Sequence, residues 1–143
     1  MSEPSALSMP DGTPVSIVHL AAEYGWLART GGLAEAVAGL AASQAAKGIP
    51  VAVVIPLHRS VRSAATGLER VAGPFHVQVG PRHEEARLWR IPTEPGKAKV
   101  YCIEHPYFDR AGLYGEGGAD YGDNLLRWAF FCRAALESLH RVT

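Results

Sequence analysis

Only two cysteines occur in the 143 residues, Cys102 and Cys132. They stand thirty positions apart, which makes neither a metal-ligand spacing nor a redox pair. Flanked by Val100-Tyr101-Cys102-Ile103 and Phe130-Phe131-Cys132, both read as buried small hydrophobes in a reducing compartment. An excess of charge of either sign is equally lacking, since fourteen Lys and Arg balance fourteen Asp and Glu. That removes the electrostatic footprint of a nucleic-acid binder and the basic tail of a membrane-surface protein. No window approaches the roughly eighteen apolar residues of a membrane helix. The N-terminus has neither the basic start nor the apolar stretch of a signal peptide, so a cytosolic location is the expectation. The six histidines are scattered, with no pair at helical spacing and no neighbouring thiol, and neither a metal nor a cofactor is expected. Two strong phosphate motifs are also missing. Without G-x-G-x-x-G a dinucleotide enzyme is disfavoured, and without G-x-x-x-x-G-K-[ST] so is a P-loop nucleotidase.

What is present has the pattern of one α/β domain, with 48% hydrophobic and 20% charged residues. Met1–Pro14, rich in Ser, Pro and Gly, reads as a disordered leader, and residues 15–143 as a partial domain. Val15–Ala22 is an almost continuously apolar run, suited to a parallel strand covered on both faces. Leu33, Val37, Leu40, Ala41 and Gln44 then recur at helical spacing up to Gly48. Val51–Ile55, stopped by Pro56, completes a strand–helix–strand unit. Phe75–Val79 and Glu85–Ile91 alternate in character around Gly80-Pro81-Arg82-His83, which predicts an antiparallel hairpin. Lys99–Ile103 reads as a further buried strand and Glu104–Gly122 as a loop. Leu125, Trp128, Ala129, Cys132, Ala135, Leu136 and Leu139 predict the buried stripe of a last helix. The fold expected is a Rossmann-like, mostly parallel sheet with flanking helices and a β-hairpin. The chain stops at Thr143 where such a sheet would continue with another strand, and an incomplete domain with an open sheet edge is expected to self-associate.

Arg29-Thr30-Gly31-Gly32 lies between the first strand and the first helix, where open α/β sheets bind ligands. Paired glycines let backbone approach a ligand, and the unpaired N–H groups of a helix start favour an anion. Arg29 adds a fork for phosphate oxygens. The plain alternative is a tight turn beside a solvated arginine, and a lone Gly-Gly does not decide between them.

The wording of two blocks decides more. Val18–Val37, with Glu23 and Arg29-Thr30-Gly31-Gly32-Leu33, resembles the opening of bacterial glycogen synthases and plant starch synthases, in which a strand and a Glu precede Lys-Thr-Gly-Gly-Leu. Asp109-Arg110-Ala111-Gly112-Leu113-Tyr114-Gly115 and Tyr121-Gly122-Asp123-Asn124-Leu125-Leu126-Arg127-Trp128 resemble later stretches of that family, in the same order. The resemblance implies the N-terminal part of a glycosyltransferase-B architecture whose C-terminal domain is missing. It implies glucose transfer from ADP-glucose to the non-reducing end of an α-1,4-glucan, with retention and without a metal. It places Arg29, Thr30, Gly31, Gly32 and Glu23 at the sugar nucleotide, and Glu35 and Asp123 as the carboxylates of the catalytic cleft. This sequence departs from the family pattern at Arg29 for Lys, Glu35 for Asp and Trp26 for Pro, and it ends before the family's His-Asp-Trp segment. A divergent, non-catalytic nucleotide- or glucan-binding module is the alternative. An unrelated transferase or flavodoxin-like protein fits worse, because flavin binding requires none of the spacings around Asp123.

Several residues carry simpler readings alongside. Asp123 is placed to N-cap the last helix, and Glu23 to be a solvated loop carboxylate. Asn124 and Arg127 read as ties between loop and helix, and His19, Trp89 and Trp128 as core. Tyr107, Tyr114 and Tyr121 are either packing anchors or platforms for sugar rings.

Overall fold

β2 (Val51–Pro56) is buried along all six residues, and its alternating side chains belong to two different cores. Ala52 and Val54 face one layer, while Val51, Val53 and Ile55 face the other. A strand buried on both faces gains from a continuous apolar run, which is what this segment has. It pairs in parallel with β1 (Ile17–Leu20) on one side and β5 (Lys99–Glu104) on the other. β4 (Arg82–Ile91) and β3 (Glu69–Val79) extend the sheet antiparallel to β5, giving the order β1-β2-β5-β4-β3. The computed structural model describes residues 7–142. Met1–Ala6, the first part of the expected disordered leader, lie outside the described residues. Leu7–Val15 fold back on themselves through a Ser8–Pro14 bridge and a bond from the Val15 N–H to the Leu7 carbonyl.

One face of the sheet carries α1 (Gly32–Ala46) and α2 (Arg59–Ala64), with Ala41 and Val61 packed against Val53 and Ile55. The other carries α3 (Asn124–Ser138), whose Phe130, Phe131, Ala134 and Ala135 meet Val54, Leu88, Tyr101 and Ile103. Between β5 and α3 the chain makes a 3₁₀ turn at Pro106–Phe108 and a two-stranded ribbon, β6 (Gly115–Glu116) with β7 (Ala119–Asp120).

The α/β sheet with flanking helices and a hairpin follows the sequence pattern, but five details differ. The first strand is shorter than the apolar run Val15–Ala22 and only half-buried, because among the described residues no strand covers its outer edge. α1 does not pack through Leu33 and Leu40, which are 48% and 51% exposed; its inward face is Ala34, Val37, Ala38 and Ala41. Small residues bring this helix close to the sheet. α3 likewise turns Leu125 and Leu136 to solvent and buries Arg127, Phe130, Phe131, Ala134, Ala135 and Ser138. Cys132 is exposed for the same reason, while Cys102 is buried as expected and its thiol is pushed up to about 12 by burial, against the lowering influence of Arg62. The hairpin begins six residues earlier than Phe75, across a bulge at Ala72–Phe75 where Gly73 has φ +112°. A Cβ on Gly73 would lie 2.8 Å from the Ala86 carbonyl oxygen and 2.9 Å from the Arg87 Cα, so only glycine fits. Gly73 and Pro74 form the bulge itself.

Candidate functional site: the glycine turn and its brace

The C-terminal end of β1 leads into a segment held at nearly every residue. The Ala21 N–H donates to the Val54 carbonyl at 3.0 Å, and the Ala22 carbonyl accepts from His58 Nε2 at 2.9 Å. Tyr24 and Ala28 close a small loop with two backbone bonds, and the Gly25 N–H donates to Ala34 at the start of α1. Leu27 and Ala28 are buried beneath this loop, which leaves Trp26, 70% exposed, at its tip.

Glu23 is the centre of the arrangement. It is 3% exposed, so the reading of a solvated carboxylate does not hold. Its Oε1 accepts from the Thr30 backbone N–H at 2.7 Å, and its Oε2 from the Thr30 hydroxyl at 3.1 Å and the Tyr114 hydroxyl at 2.6 Å. Burial alone would raise its pKa; the bonds from Tyr114, Thr30 and the Gly31 N–H outweigh it and hold the carboxyl below its ordinary range. Tyr114, desolvated and bonded to that carboxylate, is pushed well above the ordinary phenol value. Glu23 thus grips the glycine turn from the protein side.

The outer side of the turn is open. Gly31 and Gly32 are exposed, and a Cβ built on either would meet nothing within 4 Å. Gly31 precedes α1 with no side-chain cap, and the exposed Gly32 and Leu33 open the helix at the positive end of a fifteen-residue dipole, ahead of the buried Ala34. Arg29 and Glu35 form an ion pair at 2.6 Å across this opening, with side chains 51% and 66% exposed. Such exposed pairs are worth about 0–1 kcal/mol, so Glu35 holds Arg29 only weakly.

Asp123 lies in a second cluster. It does not cap α3 with its side chain. Its two carboxylate oxygens accept from Arg110 Nη1 and Nη2, both at 2.7 Å, and Arg110 holds its pKa below the ordinary value. Arg110 stacks over the Tyr121 ring at 4.7 Å. Arg127, fully buried, donates to the carbonyls of Tyr107 and Leu113 and to Asn124 Oδ1. Asn124 in turn donates to the Tyr114 carbonyl at 2.8 Å. Asn124 and Arg127 therefore tie loop to helix, as their positions indicated. Tyr107, Tyr114 and Tyr121 each spend their hydroxyls on protein partners, which makes them anchors. His19 is half-buried and bonded to Gln44 at 2.7 Å; Trp89 and Trp128 are partly buried against the two cores.

The two sequence blocks meet through the Tyr114–Glu23 bond. Between them lies an open depression of about 310 Å³ lined by Thr30, Tyr114, Gly115, Gly118 and Asp120. A more enclosed apolar cavity of about 260 Å³, lined by Ile17, Val18, Ile49, Val51 and Val142, sits at the opposite ends of the parallel strands. Ligands of open α/β sheets bind at the carboxyl ends of the strands, so the depression beside the turn is the relevant one. Of the seven residues singled out from sequence, Glu23, Thr30 and Gly31 form one bonded group and Arg29 with Glu35 another, while Gly32 opens α1 beside them and Asp123 stands apart. Sequence reasoning missed His58, which carries no motif. It also missed Arg110 as the partner of Asp123.

A family profile described as "Starch synthase catalytic domain" matches residues 16–143. The chain belongs to the starch synthase catalytic domain family. Glycogen synthase of Anaeromyxobacter dehalogenans (strain 2CP-1) is 44% identical over 124 residues, 85% of this chain and 24% of that protein. Glycogen synthase 2 of Geobacter metallireducens is 36% identical over 129 residues, covering 90% and 26%. Among solved structures, the catalytic domain of starch synthase IV from Arabidopsis thaliana, bound to ADP and acarbose, superposes with a TM-score of 0.71. It is 29% identical and covers 88% of this chain and 25% of that one. The chain thus spans about a quarter of the length of its starch synthase and glycogen synthase relatives. Among the described residues, no helix is long and apolar enough to cross a membrane, and no three His, Cys, Asp or Glu side chains group to hold a metal.

Proposed function

We propose that this chain forms the donor-phosphate side of a glycogen synthase that moves glucose from ADP-glucose to the non-reducing end of an α-1,4-glucan. The observation that carries the reading is the glycine turn, locked from within by Glu23 and open outward at Gly31 and Gly32. In the transfer, the bond from the glucose anomeric carbon to the diphosphate breaks. A bond to the glucan's terminal 4-hydroxyl forms, and the proton of that hydroxyl leaves with ADP. The configuration at the anomeric carbon is retained. Charge accumulates on the departing diphosphate, and fixed donors aimed there lower the barrier without a metal. The N–H group of Gly32 and the Arg29 guanidinium are those donors, while the Gly31 N–H stays with Glu23. Glu23 takes no part in contacting phosphate; it fixes Thr30 so that the turn keeps its shape. Glu35, freed when Arg29 turns to phosphate, and Asp123, held by Arg110, present carboxylates to the hydroxyls of glucose or glucan. The opposing wall of the cleft belongs to the length of the relatives that this chain does not span, and transfer requires it. A cytosolic setting belongs to the same proposal and agrees with two free thiols.

The binding of ADP and of acarbose by the Arabidopsis relative supports both ligand classes. Calorimetry on this chain with ADP, ADP-glucose and maltoheptaose tests the reading. Binding of ADP, weakened about tenfold in Arg29→Ala as expected for one charge-assisted contact, is the expected result. No heat with either nucleotide would sink it, and binding of maltoheptaose alone would favour a carbohydrate module.

A further inference from the structure

His58 belongs to none of the motifs, yet its ring is 1% exposed and sits where three parts of the site converge. It follows β2 and leads into α2. Its Nε2 lies 2.9 Å from the carbonyl oxygen of Ala22, the residue immediately before Glu23. A carbonyl can only accept, so Nε2 carries the proton and Nδ1 is a bare lone pair. The ring packs edge-on to Phe108 at 5.9 Å and tilts against Trp128 at 6.2 Å, one residue from the 105–123 loop and the other from α3. Nδ1 has no bonding partner among the described residues, although it is buried. Buried polar groups are normally paired, and a leucine or methionine would fill this apolar pocket without leaving a lone pair unmet. The one polar act of the ring is to hold the Ala22 carbonyl.

That carbonyl fixes the peptide from which Glu23 projects. The backbone on either side is also tied, at Ala21 to Val54 and at Tyr24 to Ala28, while the Glu23 carboxylate bonds to Thr30, Gly31 and Tyr114. We infer that His58 is a positioning residue for the glycine turn, acting through the Ala22 carbonyl to aim the Glu23 carboxylate at Thr30. The inference rests on the phosphate reading of the turn, and it adds a control point outside both sequence blocks. His58 touches neither donor nor acceptor. It determines whether Thr30 and Gly31 are held in the shape that turns Gly32 outward.

Two variants separate the polar role from packing. His58→Gln places an amide N–H near the Nε2 position and keeps the donor; His58→Met keeps the volume and loses it. Hydrogen exchange of the Thr30 amide, followed by NMR on this chain, reads the Glu23 bond directly, with the β2 amides of Val53 and Val54 as internal controls. Exchange at Thr30 should quicken about tenfold in His58→Met, the factor a hydrogen bond of ordinary net worth carries. It should return in His58→Gln while Val53 and Val54 stay unchanged throughout. Unchanged exchange at Thr30, or equal acceleration at all three positions in both variants, would overturn the inference. Nitrogen shifts of the His58 ring in the wild-type chain provide a check that needs no variant, and a proton on Nδ1 would also overturn it. ADP calorimetry on the same samples separates the two claims. Failure of wild type to bind ADP defeats the phosphate reading, while the Thr30 amide still decides the role of His58.

Discussion

Arg127 and His58 are the two buried side chains with an atom left unpaired among the described residues, and both lie against Phe108 and Trp128. Arg127 spends its other nitrogens on two carbonyls and Asn124. Arg127→Met would strand those acceptors in the interior, at about 1–3 kcal/mol each. A loss of roughly 3 kcal/mol or more in chemical denaturation is expected, with the 105–123 loop exchanging hydrogen first. His58 predicts a pH effect. Burial pushes its pKa down from 6.5 to about 4, with Arg127 adding to the shift and the Ala22 bond and Glu23 opposing it. The unfolded chain takes up a proton near pH 6.5, whereas the folded chain does so only near pH 4. His58 therefore contributes its full stability above about pH 6.5 and loses it as pH falls toward 4, by at most about 1.4 kcal/mol per pH unit. Between pH 6.5 and 5 the carboxylates, with ordinary values about 4, stay out of the way. Melting temperature should fall across that window in wild type and fall less in His58→Gln; parallel slopes would contradict the assignment.

At the scale of elements, the sequence reveals kind and order better than facing. β2 and β5 are legible because continuous burial leaves no face to choose. α1 and α3 are not, because each contains leucines that point away from the sheet. In α1 the packing surface is alanine, and a stripe drawn through the largest side chains selects the wrong side. In α3 the inward position of Arg127 is hidden by its charge, although Arg127, Phe130, Phe131, Ala134, Ala135 and Ser138 keep perfectly good helical spacing. The identity of the turn residues is readable from motif, but the inward direction of Glu23 is not, since its partner Tyr114 lies 91 positions away. These facings make opposed predictions for neighbouring residues. Leu40→Gln should change stability by no more than about 0.5 kcal/mol, as surface substitutions do. Ala41→Leu, forced between α1 and β2, should cost about 1–3 kcal/mol. Thermal denaturation of both distinguishes this helix orientation from the one a leucine stripe implies.

For the whole molecule, the feature that matters is the outer edge of β1, which no strand covers among the described residues. Leu20 on that strand is 38% exposed, and the apolar cavity at its start is open beneath Ile17 and Val18. Unpaired edges template further pairing. Sedimentation velocity should show mass increasing with concentration, and Val18→Pro, which removes an edge donor, should reduce it; a strict monomer at all concentrations would refute this. The bond from Tyr114 to Glu23 has its own consequence for how the protein matures. Phe130, Phe131, Ala134 and Ala135 of the core lie downstream of Tyr114, so the core and the clamp on the turn both wait for the later part of the chain. A newly made chain therefore shapes the glycine turn only when its last helix docks, and protection of the Thr30 amide is a readout of that docking.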